Sequence, residues 1–268
     1  MMEVINTDLD AGALPSADVT AFWKAWLSTD SMFCRALVKS GCLTEEQMLR
    51  AAERYHLGKS RDGGVIFWQI DDQGRTRDGK IMYYREDCHR DKSRHPSWAS
   101  ARLKAYYGYD GDLAVERCLF GLHLLETHPH PLPVMEGSGH PQGKNSVDKH
   151  FTPLHDREGQ GGGSPIAVVE AEKTAVIMSE VYPQYVWMAA GGLSALSAEK
   201  LRPLSDCHVI LFPDTDPGGK AFAHWQHIAR EASRHTLFPV YVSPLLERHA
   251  TPEQKAAKID IVDFLFSH

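Results

Sequence analysis

The chain has 268 residues and a formal net charge of −6, with 43% hydrophobic and 24% charged residues, the balance of a globular protein with a sizeable core. It contains no apolar run near the roughly 20 residues of a membrane helix, and its acidic, polar start, Met1 to Asp18, has no secretory character. Five scattered cysteines without a CxxC pair predict reduced thiols in a cytoplasmic protein rather than a disulfide framework or zinc ribbon.

Residues 16–57 read as helices. One opens at Ser16-Ala17-Asp18, and Thr44-Glu45-Glu46-Gln47 has capping-box spacing ahead of Met48, Leu49, Ala52 and Tyr55, with Gly58 as a stop. The period then changes. Val65–Ile70 and Ile81–Tyr84 read as strands around the polar connection Asp71-Asp72-Gln73-Gly74, and Leu113–Leu125 as an apolar-striped helix.

The stretch from Lys59 to Lys104 holds 11 Lys/Arg against 7 Asp/Glu, a net +4 within a chain of −6. Arg75, Arg77, Lys80, Arg85, Arg94 and their neighbours interleave with aromatic residues including Trp98, a combination that suits single-stranded nucleic acid. A solvated charged hairpin is the plainer reading. Phe67 and Trp68 point opposite ways on one strand, so at least one is expected in the core. Residues 128–164 are rich in His, Pro, Gly and Ser and read as a linker; their histidines fit no common metal-ligand spacing. Cys88-His89 with Cys118 or His123 is a candidate zinc set that lacks the usual paired cysteines.

After the linker, strands and helices alternate. The expected elements are strand Ile166–Val169, helix Lys173–Val181, strand Tyr185–Ala189, a helix near Ser197, strand Val209–Phe212, helix Gly219–Arg234 and strand Phe238–Val242. This implies a parallel sheet with helices on both faces. Two strands end in acid: Val168-Val169-Glu170, and Leu211-Phe212-Pro213-Asp214-Thr215-Asp216. Acids at the carboxyl ends of parallel strands lie where open α/β sheets bind ligands, and hard oxygens there suit Mg²⁺ or Mn²⁺ with substrate phosphates. Gly218 and Gly219 before a helix, and Gly192 on the same rim, allow close approach of a phosphate.

Val168 to Lys173 followed by Asp214 to Gly219 resembles the Toprim domain shared by bacterial primases, topoisomerases and some nucleases. Gly64 to Arg75 with Gly79-Lys80, and Leu119-Phe120-Gly121-Leu122-His123, are similar to segments that precede Toprim in primases of bacteria, phages and mobile elements. The resemblance spans roughly residues 45–266 with motifs in the family's order. It implies a Toprim-like parallel sheet flanked by helices (165–268), preceded by a smaller α+β region (1–127) and a linker (128–164). It also implies Glu170 as catalytic acid/base, Asp214 and Asp216 as Mg²⁺ ligands, and Lys173 beside the nucleotide. Ile259 to Leu265 resembles a third acidic motif, but Asp260 and Asp263 stand three apart where the family spaces its acids by two. No zinc ribbon or helicase domain matches.

The implied activity is primase-like nucleotidyl transfer in DNA replication of a mobile element. The expected partners are single-stranded DNA or RNA, nucleoside triphosphates and a separate helicase or replication protein, with no membrane. A Toprim-type nuclease, or a single-strand-binding accessory protein with a vestigial site, fits the same residues.

Overall fold

The computed structural model describes residues 29–107, 115–127 and 164–266. The helix expected from Ser16 and the linker histidines lie outside the described residues.

The first part starts with α1 (Met32–Lys39) and α2 (Glu45–Arg54). The capping box before α2 forms as its sequence predicts: Gln47 N–H donates to Thr44 Oγ1 at 3.2 Å, and Thr44 N–H to Gln47 Oε1 at 2.9 Å. These helices lead into an antiparallel sheet of β1 (Gly58–Lys59), β2 (Val65–Ile70), β3 (Thr76–Met82) and β4 (Ser97–Trp98), ordered β1-β2-β3-β4. Alternation along β2 sends Val65 and Phe67 into the main core, and Ile66 and Trp68 into a small cluster with Ile81, Tyr83 and Ala99 on the other face. Both Phe67 and Trp68 are buried. β3 starts earlier than the apolar pattern suggested and takes in the polar run Thr76–Lys80, while Tyr83 and Tyr84 lie beyond it. Helix α3 (Ala99–Tyr107) follows β4.

Leu113–Leu125 is not a helix in its described part. Residues 115–119 have no regular secondary structure, Phe120 bridges antiparallel to Ala189, and only the short α4 (Leu124–Thr127) is helical. Gly121 at φ +86° turns the chain there. The apolar spacing of Leu119, Phe120, Leu122 and Leu124 reflects burial between two sheets rather than a helix face.

The second part is a parallel sheet of β5 (Ile166–Val169), β6 (Val186–Ala189), β7 (Val209–Phe212) and β8 (Tyr241–Val242), ordered β6-β5-β7-β8. β5, β6 and β7 are buried throughout, as strands covered on both faces must be. Their partners include α5 (Glu172–Val181) and α6 (Lys220–Ala232). The helix expected near Ser197 is instead two 3₁₀ segments, Leu193–Ala195 and Glu199–Leu204, the second interrupted by Pro203, which has no N–H to continue a helix. The last strand is shorter than expected, because Phe238 leaves the sheet to stack on His208 at 3.9 Å. Three short helices finish the fold: α7 (Leu245–His249), α8 (Pro252–Ala257) and α9 (Ile261–Phe266). The fold is thus mixed α/β, with a parallel four-stranded sheet flanked by helices, and one apolar core runs through both parts.

Candidate active site

In the order β6-β5-β7-β8 the chain runs outward from β5 to β6, then crosses back to β7 on the other side. The crevice outside the carboxyl ends of β5 and β7 is therefore the topological switch point, the ligand site of open parallel sheets. Glu170 immediately follows β5 and Asp214 lies two residues past β7. Asp214 N–H donates to Glu170 Oε1 at 3.1 Å, and Gly191 N–H donates to Glu170 O at 2.9 Å, so the ends of β5, β6 and β7 are tied together.

The carboxylates here repel one another. Burial, then Glu170, Asp260 and Asp263, push the Asp214 carboxyl up to about 9. Burial likewise raises Glu170, with Asp260 and Asp216 adding to the shift. Asp263 rises through crowding of its carboxyl away from water and through Asp260, although much of the residue stays exposed. Lys173, in the first turn of α5, opposes the rise at Asp214 and Asp263, so its cation reaches this group of acids.

Three of the acids also carry structural duties. Asp216 accepts Gly218 N–H at 2.8 Å and Ala221 N–H at 2.7 Å, which caps α6 and holds its carboxyl below the usual range. Gly218 and Gly219 thereby serve Asp216, with Gly219 at φ +63° opening α6. Asp260 and Asp263 bond reciprocally: Asp263 N–H donates to Asp260 Oδ1 at 2.8 Å and Asp260 N–H to Asp263 Oδ2 at 3.4 Å. Their spacing of three is that of a cap and the third residue of a helix. Thr174 Oγ1 donates to Asp260 Oδ2, and Thr215 N–H donates to Ile259 O at 3.0 Å, which draws this segment beside β7.

An open cleft of about 460 Å³ lies against these residues, lined by Glu170, Asp214, Thr215, Asp216, Lys220 and Lys258 among others. Thr215 is buried and its hydroxyl has no partner among the described residues. The donor chemistry fits a divalent cation: hard carboxylate oxygens crowded until one is pushed to about 9. Among the described residues, no group of three or more His, Cys, Asp or Glu side chains is arranged to hold a metal ion. Cys88-His89 does not build a zinc set with Cys118 or His123, whose Nε2 is committed to Arg54 O at 3.0 Å. Mg²⁺ commonly takes only one or two protein carboxylates and completes its shell with water and substrate phosphate.

The basic residues read from the first part are paired. Arg75 and Arg77 bond to Asp71 Oδ2 at 2.9 and 2.7 Å. Arg85 pairs with Asp87 at 2.7 Å, and Arg94 and Arg102 both pair with Asp62 at 2.9 Å. Lys80 crosses to the second part, where it bonds to Glu172 at 3.1 Å and to Gly191 O at 2.8 Å. Trp98 is half-buried with the Arg117 guanidinium 3.7 Å above its ring centre. Gly192, at φ +143°, lies on the rim next to that Lys80 contact. Sequence reasoning missed Glu172, Thr174 and Arg117. The first two flank Lys173 and face the same rim, but their partners, Lys80 and Asp260, are far away in sequence.

No helix among the described residues is long and apolar enough to cross a membrane. No curated protein matches the chain. Among solved structures it is similar to the primase fragment of the bacteriophage T7 primase-helicase protein, with 16% identity, 76% of this chain and 68% of that chain covered, and a TM-score of 0.35. A family model described as "Domain of unknown function (DUF6371)" matches residues 31–137 and 157–215. That match takes in the antiparallel sheet, the Phe120 crossing and both acid-bearing strands of the crevice, and on its extent the chain belongs to the DUF6371 family.

Proposed function

We propose that the crevice between the ends of β5 and β7 is the active site of a Mg²⁺-dependent nucleic-acid enzyme with a Toprim-like domain, transferring nucleotidyl groups as primases do. The observation that carries this reading is the contact of Asp214 with Glu170 at the switch point, where burial and like charge drive the Asp214 carboxyl to about 9. A buried, strongly shifted carboxyl in a cleft is a mark of a functional site. Asp214 and Asp216, which both line the cleft, would hold the cation, with Asp260 and Asp263 beside them as a further acidic pair. A divalent ion held there would supply polarisation of phosphoryl oxygens and neutralisation of developing charge. Glu170, raised in its own pKa, is suited to accept the proton of an attacking hydroxyl. Lys173 supplies a fixed positive charge beside the acids.

One observation favours a second reading. Asp216, Asp260 and Asp263 already cap helices, so the same fold can persist as a nucleic-acid-binding module without chemistry. Calorimetry with Mg²⁺ or Mn²⁺ on wild type and Asp214→Asn, followed by incubation with single-stranded DNA and nucleoside triphosphates, separates the possibilities. Saturable metal binding that Asp214→Asn abolishes, with metal-dependent extension of a strand, supports the primase-like reading. Shortening of the strand identifies a nuclease. Metal binding that is equal in the two proteins sinks the catalytic reading and leaves the binding module.

A further inference from the structure

Lys80 faces Phe67 on one side and Trp98 on the other in the β2-β3-β4 ladder, so Phe67, Lys80 and Trp98 share the sheet face that looks toward the second part. Asp78 lies two residues before Lys80 and is fully buried. It accepts four hydrogen bonds: Gly79 N–H at 2.8 Å, Ser100 N–H at 3.1 Å, Ser100 Oγ at 2.9 Å and Arg117 Nε at 2.9 Å. The Arg117 guanidinium is therefore fixed at its Nε by a buried carboxylate and at its face by the Trp98 ring, while 39% of its side chain stays exposed. Its two terminal amino groups bond to nothing among the described residues. An arginine so held is rigid before any ligand arrives, and its remaining fork matches a phosphate.

Lys200, on the second 3₁₀ segment of the other part, lies within electrostatic reach of Arg117 and Lys80 at this corner. Burial lowers its pKa, and repulsion from Arg117 and Lys80 lowers it further, against attraction from Cys118 and Glu172. Its ammonium has no carboxylate partner among the described residues, since Glu172 is taken by Lys80. Three cations thus face two carboxylates, Asp78 and Glu172, and one positive charge is left unbalanced. The Gly191-Gly192 turn, with both residues at positive φ, closes the corner next to Lys80.

We infer that Arg117 and Lys200 form a phosphate seat where the two sheets meet, with Trp98 as the platform of the arginine and Lys80 as the tie that holds the rim in place. The inference deepens the proposed function and rests on it for the class of ligand, a phosphate of single-stranded nucleic acid or of a nucleoside triphosphate. It moves the phosphate contact away from Arg75, Arg77, Arg85 and Arg94, whose guanidinium groups are engaged by Asp71, Asp87 and Asp62.

The test titrates the full chain into a labelled single-stranded oligonucleotide, read by anisotropy over a range of salt, and separately into a nucleoside triphosphate without added metal, read by calorimetry. The variants are Arg117→Gln, Lys200→Gln and the double substitution, with Lys39→Ala as the control. Each single variant is expected to weaken binding about 10-fold and to lower the salt slope by about 0.7 on a single strand. A loss confined to the oligonucleotide names the nucleic-acid backbone as the source of the phosphate, and a loss confined to the triphosphate names the free nucleotide.

Arg117→Gln leaves Asp78 short of a partner and risks the fold, whereas Lys200→Gln breaks no side-chain hydrogen bond or ion pair among the described residues. Wild-type affinity for both probes in Lys200→Gln, or no binding of either probe by wild type, overturns the inference. Asp214→Asn separates it from the catalytic reading. A chain without Asp214-dependent metal binding that still loses affinity on Lys200→Gln keeps the seat and loses the chemistry.

Discussion

Asp216 gives both carboxylate oxygens to backbone N–H groups at the start of α6, whereas Asp214 meets Glu170, Asp260 and Asp263 in a buried crevice, so the two acids respond differently to substitution. Asp216→Ala removes a cap and is expected to cost about 1–2 kcal/mol in urea unfolding, with or without metal. Asp214→Asn is expected to stabilise the metal-free protein at pH 7 by at least about 1.4 kcal/mol, the equivalent of one pKa unit. The sign follows from linkage: a carboxyl raised on folding contributes fully below its unfolded value near 3.8 and loses that contribution as pH climbs toward about 9. An unchanged or lower midpoint for Asp214→Asn at pH 7 would contradict the repulsion described here.

His123 works in the opposite direction. Its Nε2 donates to Arg54 O at 3.0 Å, its buried Nδ1 has no partner among the described residues, and burial lowers its pKa to about 4. The unfolded chain binds a proton that the folded chain refuses, so stability falls as pH drops from about 6.5 to about 4, by about 3 kcal/mol in all. His123→Gln, which keeps a donor but cannot titrate, should flatten the wild-type decline across that window in unfolding midpoints.

At the scale of single elements, what was legible depended on how local the cause was. The Thr44–Gln47 capping box is settled within four residues and formed as read. β5 and β7 were legible because strands covered on both faces are continuously apolar and stop abruptly at Glu170 and Pro213-Asp214. Leu119–Leu124 was misread because its apolar spacing answers to Ala189, Trp187 and Tyr55, none of which is nearby in sequence. Gly121 makes that crossing possible. A Cβ at this φ of +86° would stand 3.0 Å from Trp187 O and 3.1 Å from the Tyr55 ring. Gly121→Ala is therefore expected to destabilise the fold by about 1–3 kcal/mol through backbone strain. Gly74→Ala, also at positive φ but with nothing within 4 Å, gives the cost of the conformation alone. Equal losses in the two variants would show that the crossing is not tightly packed.

At the scale of the whole molecule, the pairings that decide charge and cohesion are long-range and cannot be counted from composition. The cations between Lys59 and Lys104 pair with Asp62, Asp71 and Asp87 inside that stretch and, 92 residues beyond Lys80, with Glu172. The acids of the crevice were legible as strand ends, but the duties of Asp216, Asp260 and Asp263 as caps follow from the helices they start. The same reach joins the two parts into one body. The Glu180 side chain, 4% exposed, receives Arg50 at 2.9 Å and Arg54 at 2.7 Å, Tyr55 Oη donates to Trp187 O at 2.8 Å, and Phe120 stacks on Tyr55 at 4.8 Å. A core continuous through both sheets predicts a single cooperative transition rather than two. Glu180→Ala leaves the largely buried Arg54 without its carboxylate and should lower stability by about 2–3 kcal/mol. The loss should appear together in near-UV dichroism and in tryptophan fluorescence, since Trp68 and Trp187 lie in different sheets. If the variant melts in two steps, with the antiparallel sheet leaving first, the parts are separately stable and the Glu180 pairs are a hinge between them. If it melts in one step at a lower midpoint, the crevice and the corner at Arg117 are held in register by the stability of the whole chain.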